Sequence, residues 1–366
     1  MLCPSFASQS TLMLPSSRVP NDPRYPALIQ FIDQYLPDAD APPTLASADA
    51  SARRYWRVRL SDGSTRVIMD APPPGENIGA FLAIQARLHE AGVPAPRVEA
   101  HDLTNGFLIL EDLGDCTLFQ WRHGHSVEAV NALLAHAVRL LPSLAAADTT
   151  GLPKFDVARL NTEMDLLPDW YAARYHERPF SDAQNAQWQL ARDAISTKLQ
   201  TMPQGFVHRD YHSRNLMVCD LGGAPDLVVI DFQDAVRGPL AYDLVSLLRD
   251  SYIDWPQAQV TALQTQFWAQ LPAEVQAAHS LEAFQTDFNW VAVQRHLKVL
   301  GIFARLSLRD GKHGYLKDIP LTWKHLQRAL AGIAELAPLA ELLASFAPLP
   351  PTPALPHKGG RERIAY

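Results

Sequence analysis

The chain has 366 residues, of which 47% are hydrophobic and 19% are charged, as in an ordinary soluble globular protein. This length exceeds one average domain and suits two lobes or two domains. The formal net charge of −7 argues against nucleic acid as the main partner, because phosphate contacts need a basic surface. No apolar run approaches the ~18 residues of a membrane-spanning helix, so no membrane contact is predicted.

The two ends and the cysteines give further expectations. Residues 1–20 are rich in Ser and Pro and predict a flexible leader that lacks the basic start of a secretory signal. Residues 347–366 begin with a proline-rich run and predict a disordered tail. Cys3, Cys116 and Cys219 are odd in number and far apart, which predicts reduced cytoplasmic thiols.

The segment that follows the leader, residues 21–112, predicts a small lobe. Its pattern is an amphipathic helix, a hairpin around Ser-Asp-Gly-Ser, a second helix ended by glycine, and a buried strand. The segments are Pro26–Leu36, Ser51–Leu60, Thr65–Asp70, Ala80–Ala91 and Phe107–Leu110. This order is typical of a nucleotide-binding lobe built on an antiparallel sheet.

Residues 113–346 predict a larger lobe that is mainly helical. Periodic apolar positions recur in long segments, interrupted by one short hairpin. The predicted helices are Val127–Leu141, Asp182–Gln200, Asp243–Tyr252, Thr261–Gln270, Asn289–Leu308, Leu321–Leu336 and Pro338–Phe346. The fold class is therefore α+β with two lobes.

The hairpin carries the most informative residues of the chain. Asp210 and Asn215 precede it in the segment His-Arg-Asp-Tyr-His-Ser-Arg-Asn, and Asp231 follows it. Its predicted strands are Leu216–Val218 and Leu227–Ile230. A carboxylate and an amide suit Mg²⁺ on a phosphate group, and a second carboxylate can orient an acceptor hydroxyl. We therefore assign Asn215 and Asp231 to the metal and Asp210 to catalysis.

The simpler alternative is a polar loop followed by a buried strand that happens to end in Asp. However, His208-x-Asp-x-His-x-x-Asn and Ile230–Gln233 together resemble the aminoglycoside phosphotransferase and choline kinase-like family. That resemblance implies a protein-kinase-like fold, with ATP and Mg²⁺ as cofactors. It also implies structural roles for His208 and for Asp243, which would brace the catalytic loop. Asp243 could equally be a first-turn acid of its helix.

The resemblance makes Glu111, Asp112 and Leu113 the hinge whose main chain would contact adenine; otherwise they form a strand end and a turn. Protein kinases place a phosphate-binding Lys on the third strand, paired with a Glu on the next helix. Met69 stands at that position here. Arg53 or Arg54 could supply the missing charge, or both could lie at a solvated hairpin tip.

The missing Lys, Leu166–Tyr171, Gln294–Phe303 and Arg309–Lys312 sharpen the resemblance toward the bacterial anomeric sugar kinases of cell-wall recycling. It covers roughly residues 25–340. Candidate acceptor-binding residues are Glu163, Asp165, Asp169, His212, Arg214 and Lys298. Alternatively, the first three form an exposed acidic helix end beside a core Trp170, Lys298 is solvated, and His212 only packs.

These expectations describe a cytoplasmic kinase that phosphorylates the anomeric hydroxyl of N-acetylmuramate or N-acetylglucosamine in peptidoglycan recycling. Its partner is a small-molecule amino sugar. One alternative is an aminoglycoside or amino-alcohol kinase, which the acidic residues Asp165 and Asp169 would favour. Another is a catalytically idle nucleotide-binding protein, suggested by the absent Lys.

Overall fold

The computed structural model describes residues 22–48, 53–75, 78–220 and 223–348. The predicted leader and all but the first two residues of the predicted tail lie outside this part of the chain. The described residues form two lobes, which confirms the predicted α+β architecture.

The N-lobe is a five-stranded antiparallel sheet with one helix on each face. The strand order across the sheet is β1-β2-β3-β5-β4, with every neighbouring pair antiparallel. The elements are α1 (Tyr25–Tyr35), β1 (Thr44–Ala48), β2 (Arg54–Arg59), β3 (Thr65–Asp70), α2 (Ile78–Glu90), β4 (Val98–Asp102) and β5 (Phe107–Glu111).

Alternation along the central strands gives the sheet two buried faces. Ile68 and Ile109 point to one face, where they pack with Leu28, Phe31 and Ile32 of α1. Met69 follows Ile68 in β3, and Leu108 precedes Ile109 in β5. Both point to the opposite face and join the core shared with α2 and the C-lobe. Because strand side chains alternate, one sheet serves both cores.

The C-lobe packs around one long helix, α10. Its helices are α3 (Leu118–Trp121), α4 (Val127–Ala146), α5 (Val157–Met164), α6 (Asp182–Gln200), α7 (Tyr242–Leu248), α8 (Gln257–Trp268), α9 (Ala273–Ala278), α10 (Leu281–Leu308), α11 (Ile319–Leu330) and α12 (Ala337–Ala344). Two small antiparallel sheets pair β6 (Gln204–Val207) with β9 (Val236–Pro239) and β7 (Leu216–Asp220) with β8 (Pro225–Val229).

Several predicted helix ends are wrong. The helix expected to reach Leu336 stops at Leu330, because the chain turns at Gly332 before a short 3₁₀ segment. The helix expected to begin at Asn289 starts at Leu281, where Ser280 caps it by accepting a hydrogen bond from the Ala283 amide.

Other elements gave too little periodicity to be predicted. The edge strands β1 and β4 and the helix α5 were missed. The helix α4 is long and apolar enough to cross a membrane by composition alone, but it packs seven side chains into the C-lobe core. Cys219 is a free thiol, as the prediction of reduced thiols expects at that position.

A nine-residue π-helical segment, Leu167–Tyr175, crosses α10 at close range. The contact depends on Gly301, because a Cβ there would lie 2.4 Å from both the backbone carbon and the oxygen of Leu166. Because glycine has no side chain, this segment can pack directly on α10. The same helix runs beneath residues 208–215, the predicted catalytic loop.

Gly301→Ala tests this packing. The added methyl group must push two backbones apart, so we expect the free energy of unfolding in urea to fall by about 1–3 kcal/mol. Gly314→Ala is the matched control, since a Cβ there meets nothing within 4 Å. Equal stability of the two variants would contradict this account.

Candidate active site

The β7–β8 hairpin brings the predicted metal residues together. Leu216 pairs with Val229, so Asn215 and Asp231 flank the open end of the ladder. Asn215 Nδ2 lies 3.4 Å from Asp231 Oδ2 and donates to the backbone oxygen of Asp210 at 3.0 Å. The three residues thus lie in one place, with the amide oxygen of Asn215 left as a possible ligand atom.

Two residues of this site have left-handed backbone conformations. Arg209 has φ +78° and Asp231 has φ +65°, although neither is glycine. Such conformations are uncommon for residues with a Cβ and persist only where surrounding contacts hold them. One of them lies in the catalytic loop, residues 208–215, and the other at the start of the segment after β8. At both places the surrounding structure holds the backbone in an unfavourable conformation.

Two buried carboxylates hold the catalytic loop from below. Asp243 Oδ2 accepts from the His208 amide at 2.7 Å, and its Oδ1 accepts from the Arg209 amide at 3.0 Å. Asp250 Oδ2 accepts from the Ser213 amide at 3.0 Å. Burial raises the pKa of Asp243 to about 6, although both amide hydrogen bonds favour its ionised form.

His208 links the loop to the end of β8. Its Nε2 is 3.0 Å from the Ile230 carbonyl oxygen, and its Nδ1 accepts from the Asp210 amide at 3.2 Å. These partners require Nε2 to carry the proton in the neutral ring. Burial lowers the pKa of His208, so the neutral ring is the stable form.

Asp210 is the exposed carboxylate of the cluster, with 41% of its side chain accessible. Its Oδ1 lies 3.5 Å from Arg295 Nη1. Burial opposes ionisation here, but the charges of Lys298 and Arg295 outweigh it and hold the pKa of Asp210 well below its usual range. The carboxylate is therefore ionised at neutral pH.

Glu163 is buried in a charge cluster beneath the loop. It accepts from Arg209 Nη2 and from Gln294 Nε2, and its Oε1 lies 3.3 Å from Lys298 Nζ. Lys298 and Arg209 lower the pKa of Glu163 against the effect of burial. The structure thus places Glu163 and Lys298 against each other and the loop, and Lys298 is buried rather than solvated.

Arg53 and Arg54 point in opposite directions. Arg53 Nη2 lies 3.5 Å from Asp231 Oδ1, across the cleft between the lobes, and its side chain is 9% exposed. Arg54, the first residue of β2, instead pairs with Asp22 and with Asp70 at the end of β3. The structure therefore does not bring Arg54 to the site.

The position at which protein kinases carry the phosphate-binding Lys is apolar in this structure. Met69 is 1% exposed and packs in the core beneath the sheet, while Glu90 at the end of α2 is exposed. Arg53 is therefore the guanidinium that the N-lobe directs toward Asp231.

The hinge side chains turn away from the cleft. Glu111 accepts from Arg97 Nε at 2.8 Å, and Asp112 accepts from Arg57 Nε at 2.6 Å and Nη2 at 3.0 Å. Leu113 contributes its carbonyl oxygen, 3.6 Å from the Cys219 thiol. Any ligand contact at this hinge is left to main-chain groups.

Two of the predicted acceptor residues do not contact the catalytic loop in the described structure. Asp165 accepts from Trp188 Nε1 at 2.9 Å and pairs with Arg192 of α6 at 2.8 Å. Asp169 is exposed on the π-helical segment. The acidic cluster expected around the sugar is therefore split. Glu163 faces the loop, whereas Asp165 and Asp169, about one helical turn apart, lie on another side of the segment.

The aromatic residues of that segment are also occupied elsewhere. Tyr171 is fully buried and donates through its hydroxyl to the Phe346 carbonyl at 3.0 Å. Trp170 packs on the core, and Arg174 Cζ lies 4.1 Å from the centroid of the Trp170 ring. Neither ring faces the loop. For Trp170 this agrees with the alternative that it is a core residue.

His212 and Arg214 line the other side of the loop. His212 meets Tyr252 edge-on at 5.4 Å, and the Arg214 guanidinium lies 3.5 Å from the centroid of the same ring. Arg214 is also 4.9 Å from the Phe119 ring centroid and 3.8 Å from Asp318 Oδ2. An aromatic and cationic wall therefore borders the loop.

Sequence reasoning missed Asp250 and Arg295. Asp250 stands seven residues after Asp243, two helical turns on, so its spacing was a usable signal. Arg295 falls within Gln294–Phe303, a segment that resembles the family, but nothing in the sequence indicates that α10 passes under residue 210. Among the described residues, no group of three His, Cys, Asp or Glu side chains could hold a metal alone.

Residues 44–283 match the phosphotransferase enzyme family. The chain belongs to this family. It is 40% identical over 338 residues to the N-acetylmuramate/N-acetylglucosamine kinase of Pseudomonas aeruginosa, covering 89% of this chain and 98% of the relative. It is 41% identical over 309 residues to the kinase of that name from Pseudomonas putida, covering 83% and 88%.

Solved structures agree on the fold. An ADP-bound aminoglycoside phosphotransferase superposes with a TM-score of 0.56 at 13% identity, covering 82% of this chain and 97% of the other. The choline kinase of Streptococcus pneumoniae gives 0.56 at 12% identity, covering 85% and 98%. These likenesses confirm the predicted kinase-like fold.

Proposed function

We propose that the protein is an ATP- and Mg²⁺-dependent cytoplasmic kinase that phosphorylates the anomeric hydroxyl of N-acetylmuramate or N-acetylglucosamine in peptidoglycan recycling. The observation that carries the proposal is the convergence of Asp210, Asn215 and Asp231 at the hairpin. The relatives named N-acetylmuramate/N-acetylglucosamine kinase support the choice of acceptor.

The donor atoms suit Mg²⁺. Asp231 offers a carboxylate that is 36% exposed, and Asn215 offers an amide oxygen beside it. Two hard oxygen donors are enough, because Mg²⁺ keeps phosphate and water oxygens as its remaining ligands. When bound, the ion would neutralise charge on the phosphates during transfer.

Arg53 replaces the missing Lys in this proposal. A guanidinium 3.5 Å from Asp231 is placed to contact the nucleotide phosphates next to the metal site. Arginine suits this role because its planar fork can bind phosphate oxygens through two hydrogen bonds. Adenine would contact the main chain of residues 111–113, since the Glu111 and Asp112 side chains are held by arginines.

Asp210 orients the acceptor. Its exposed oxygen accepts a hydrogen bond from the sugar hydroxyl and can take the proton as the phosphoryl group transfers from ATP, leaving ADP and the sugar phosphate. An anomeric hydroxyl is more acidic than an ordinary alcohol. A weakly basic carboxylate, as the nearby Arg295 and Lys298 make Asp210, is therefore adequate for this acceptor.

Arg214 is the residue of the loop best placed to bind an anionic acceptor. N-acetylmuramate carries a lactyl carboxylate that N-acetylglucosamine lacks. Lys298, the other candidate, is already neutralised by Glu163. The Arg214 guanidinium is 30% exposed between two aromatic rings, so it can reach a carboxylate while Tyr252 and Phe119 face the sugar.

Asp210→Asn should lower kcat at least about a hundredfold while the Kd for MgATP stays within about twofold, because the variant loses only the hydroxyl-orienting charge. ADP release is measured with N-acetylglucosamine, N-acetylmuramate, kanamycin, choline and homoserine. Asp193→Asn, at an exposed ion pair, is the control. Near-normal turnover of Asp210→Asn removes that residue from its role, and wild-type activity only on the amines or on no acceptor refutes the proposed function.

Arg53→Gln should raise the KM for MgATP about tenfold, because one charged contact to phosphate is lost. The adjacent Arg54→Gln is the matched control. It breaks the ion pairs with Asp22 and Asp70 and should leave that KM unchanged while lowering thermal stability. Equal KM values in the two variants would show that Arg53 does not bind the nucleotide.

Arg214→Gln should raise the KM for N-acetylmuramate about tenfold and that for N-acetylglucosamine less than about threefold, since only the first acceptor has a carboxylate. Steady-state kinetics on both sugars provide the ratio. Arg122→Gln, which removes the guanidinium on the opposite side of Phe119, is the control. An unchanged ratio in Arg214→Gln would place carboxylate recognition elsewhere.

A further inference from the structure

Arg295 is a buried cation with a single carboxylate within reach. Its side chain is 6% exposed, and among the described residues Asp210 is the one acid within 4 Å of it. A buried charge costs several kcal/mol unless it is paired and hydrogen-bonded. An arginine at this position of α10 therefore needs a compensating interaction. Its guanidinium lies 5.7 Å from the Tyr242 ring centroid, and its hydrogen bonds are with the catalytic loop.

The stronger of those contacts is to the backbone. Arg295 Nη1 donates to the carbonyl oxygen of Arg209 at 2.6 Å. The amide of the same peptide unit, that of Asp210, donates to His208 Nδ1 at 3.2 Å. The peptide plane that carries Asp210 is thus held at both its oxygen and its nitrogen.

This plane follows the residue with φ +78°. A left-handed conformation at Arg209 costs free energy, about 1–3 kcal/mol for a strained backbone position. The hydrogen bond to its carbonyl oxygen offsets that cost, as does the Asp243 bond to its amide. Without the bond from Arg295, the Arg209 carbonyl oxygen keeps only the longer hydrogen bond from Ser246 Oγ at 3.4 Å. The peptide plane is then held less firmly, and the Asp210 carboxylate can turn with it.

We propose that Arg295 is a positioning residue for phosphoryl transfer, which fixes the peptide plane between residues 209 and 210 and directs the free oxygen of Asp210 toward the acceptor. With 6% of its side chain exposed, it is assigned no contact with nucleotide or sugar in this proposal. This inference rests on the proposed function, since it takes Asp210 as the residue that orients the hydroxyl. Its consequence is a defect in kcat without a defect in binding.

The test compares Arg295→Lys and Arg295→Gln. Gln keeps a donor for the carbonyl oxygen but loses the charge and the reach to Asp210, so kcat should fall about a hundredfold. Lys keeps the charge but loses the fixed planar geometry that directs Nη1 at both oxygens, so kcat should fall about tenfold. In both variants the KM for MgATP and for the amino sugar should stay within about twofold of wild type.

Arg305→Gln is the matched control on the same helix, where the arginine neighbours Arg309 and Asp310 rather than the loop. Its kcat should equal that of the wild type. Rates are normalised to nucleotide-binding sites by titration, so a partly folded preparation does not imitate the defect. If the Gln variant does not fold, the Lys variant decides.

A wild-type kcat in Arg295→Lys and Arg295→Gln, or in the folded one of them, overturns the inference. A rise in KM that matches the loss of kcat/KM also overturns it, because that result assigns Arg295 to binding. A wild-type enzyme that is silent on every amino sugar sinks the proposed function instead, and the two failures are therefore distinguishable.

Discussion

The site depends on a catalytic loop whose backbone is held in an unfavourable conformation by buried polar groups. Asp243 and Asp250 accept the loop's amides from α7 and the turn after it, and Arg295 donates to the loop's carbonyl from α10. Each brace is itself costly to bury, and each is offset by charge-assisted hydrogen bonds to backbone. The result is a carboxylate, Asp210, whose position is set by the interior rather than by its own side-chain rotamer.

In the proposed function, the N-lobe supplies the phosphate-binding charge from Arg53, just before β2, rather than from position 69 of β3. Position 69 is buried among apolar side chains, so a lysine there would have to leave the core to reach a ligand. Arg53 precedes β2 and reaches Asp231, 178 residues later in the chain. Charge at a phosphate site requires only that a cation reach the right place, which allows the sequence position to change while the proposed chemistry stays the same.

Charge balance around Asp210 explains why the acceptor residues were hard to predict. Arg209 and Lys298 pair with Glu163, and Arg295 pairs with Asp210, in the cluster beneath the loop. Buried charges must be compensated locally, so Glu163 and Lys298 satisfy each other and do not extend toward solvent.

The sequence alone determined the two-lobed fold and the Asp210, Asn215 and Asp231 cluster. Those features depend on local order, a hairpin of fixed length with polar residues at its ends. It did not determine that Arg53 rather than Arg54 enters the cleft, that Asp165 faces α6, or that Arg295 lies under the loop. Each of these depends on which side of an element meets a neighbour distant in the chain, and only the packing of whole helices and strands decides that.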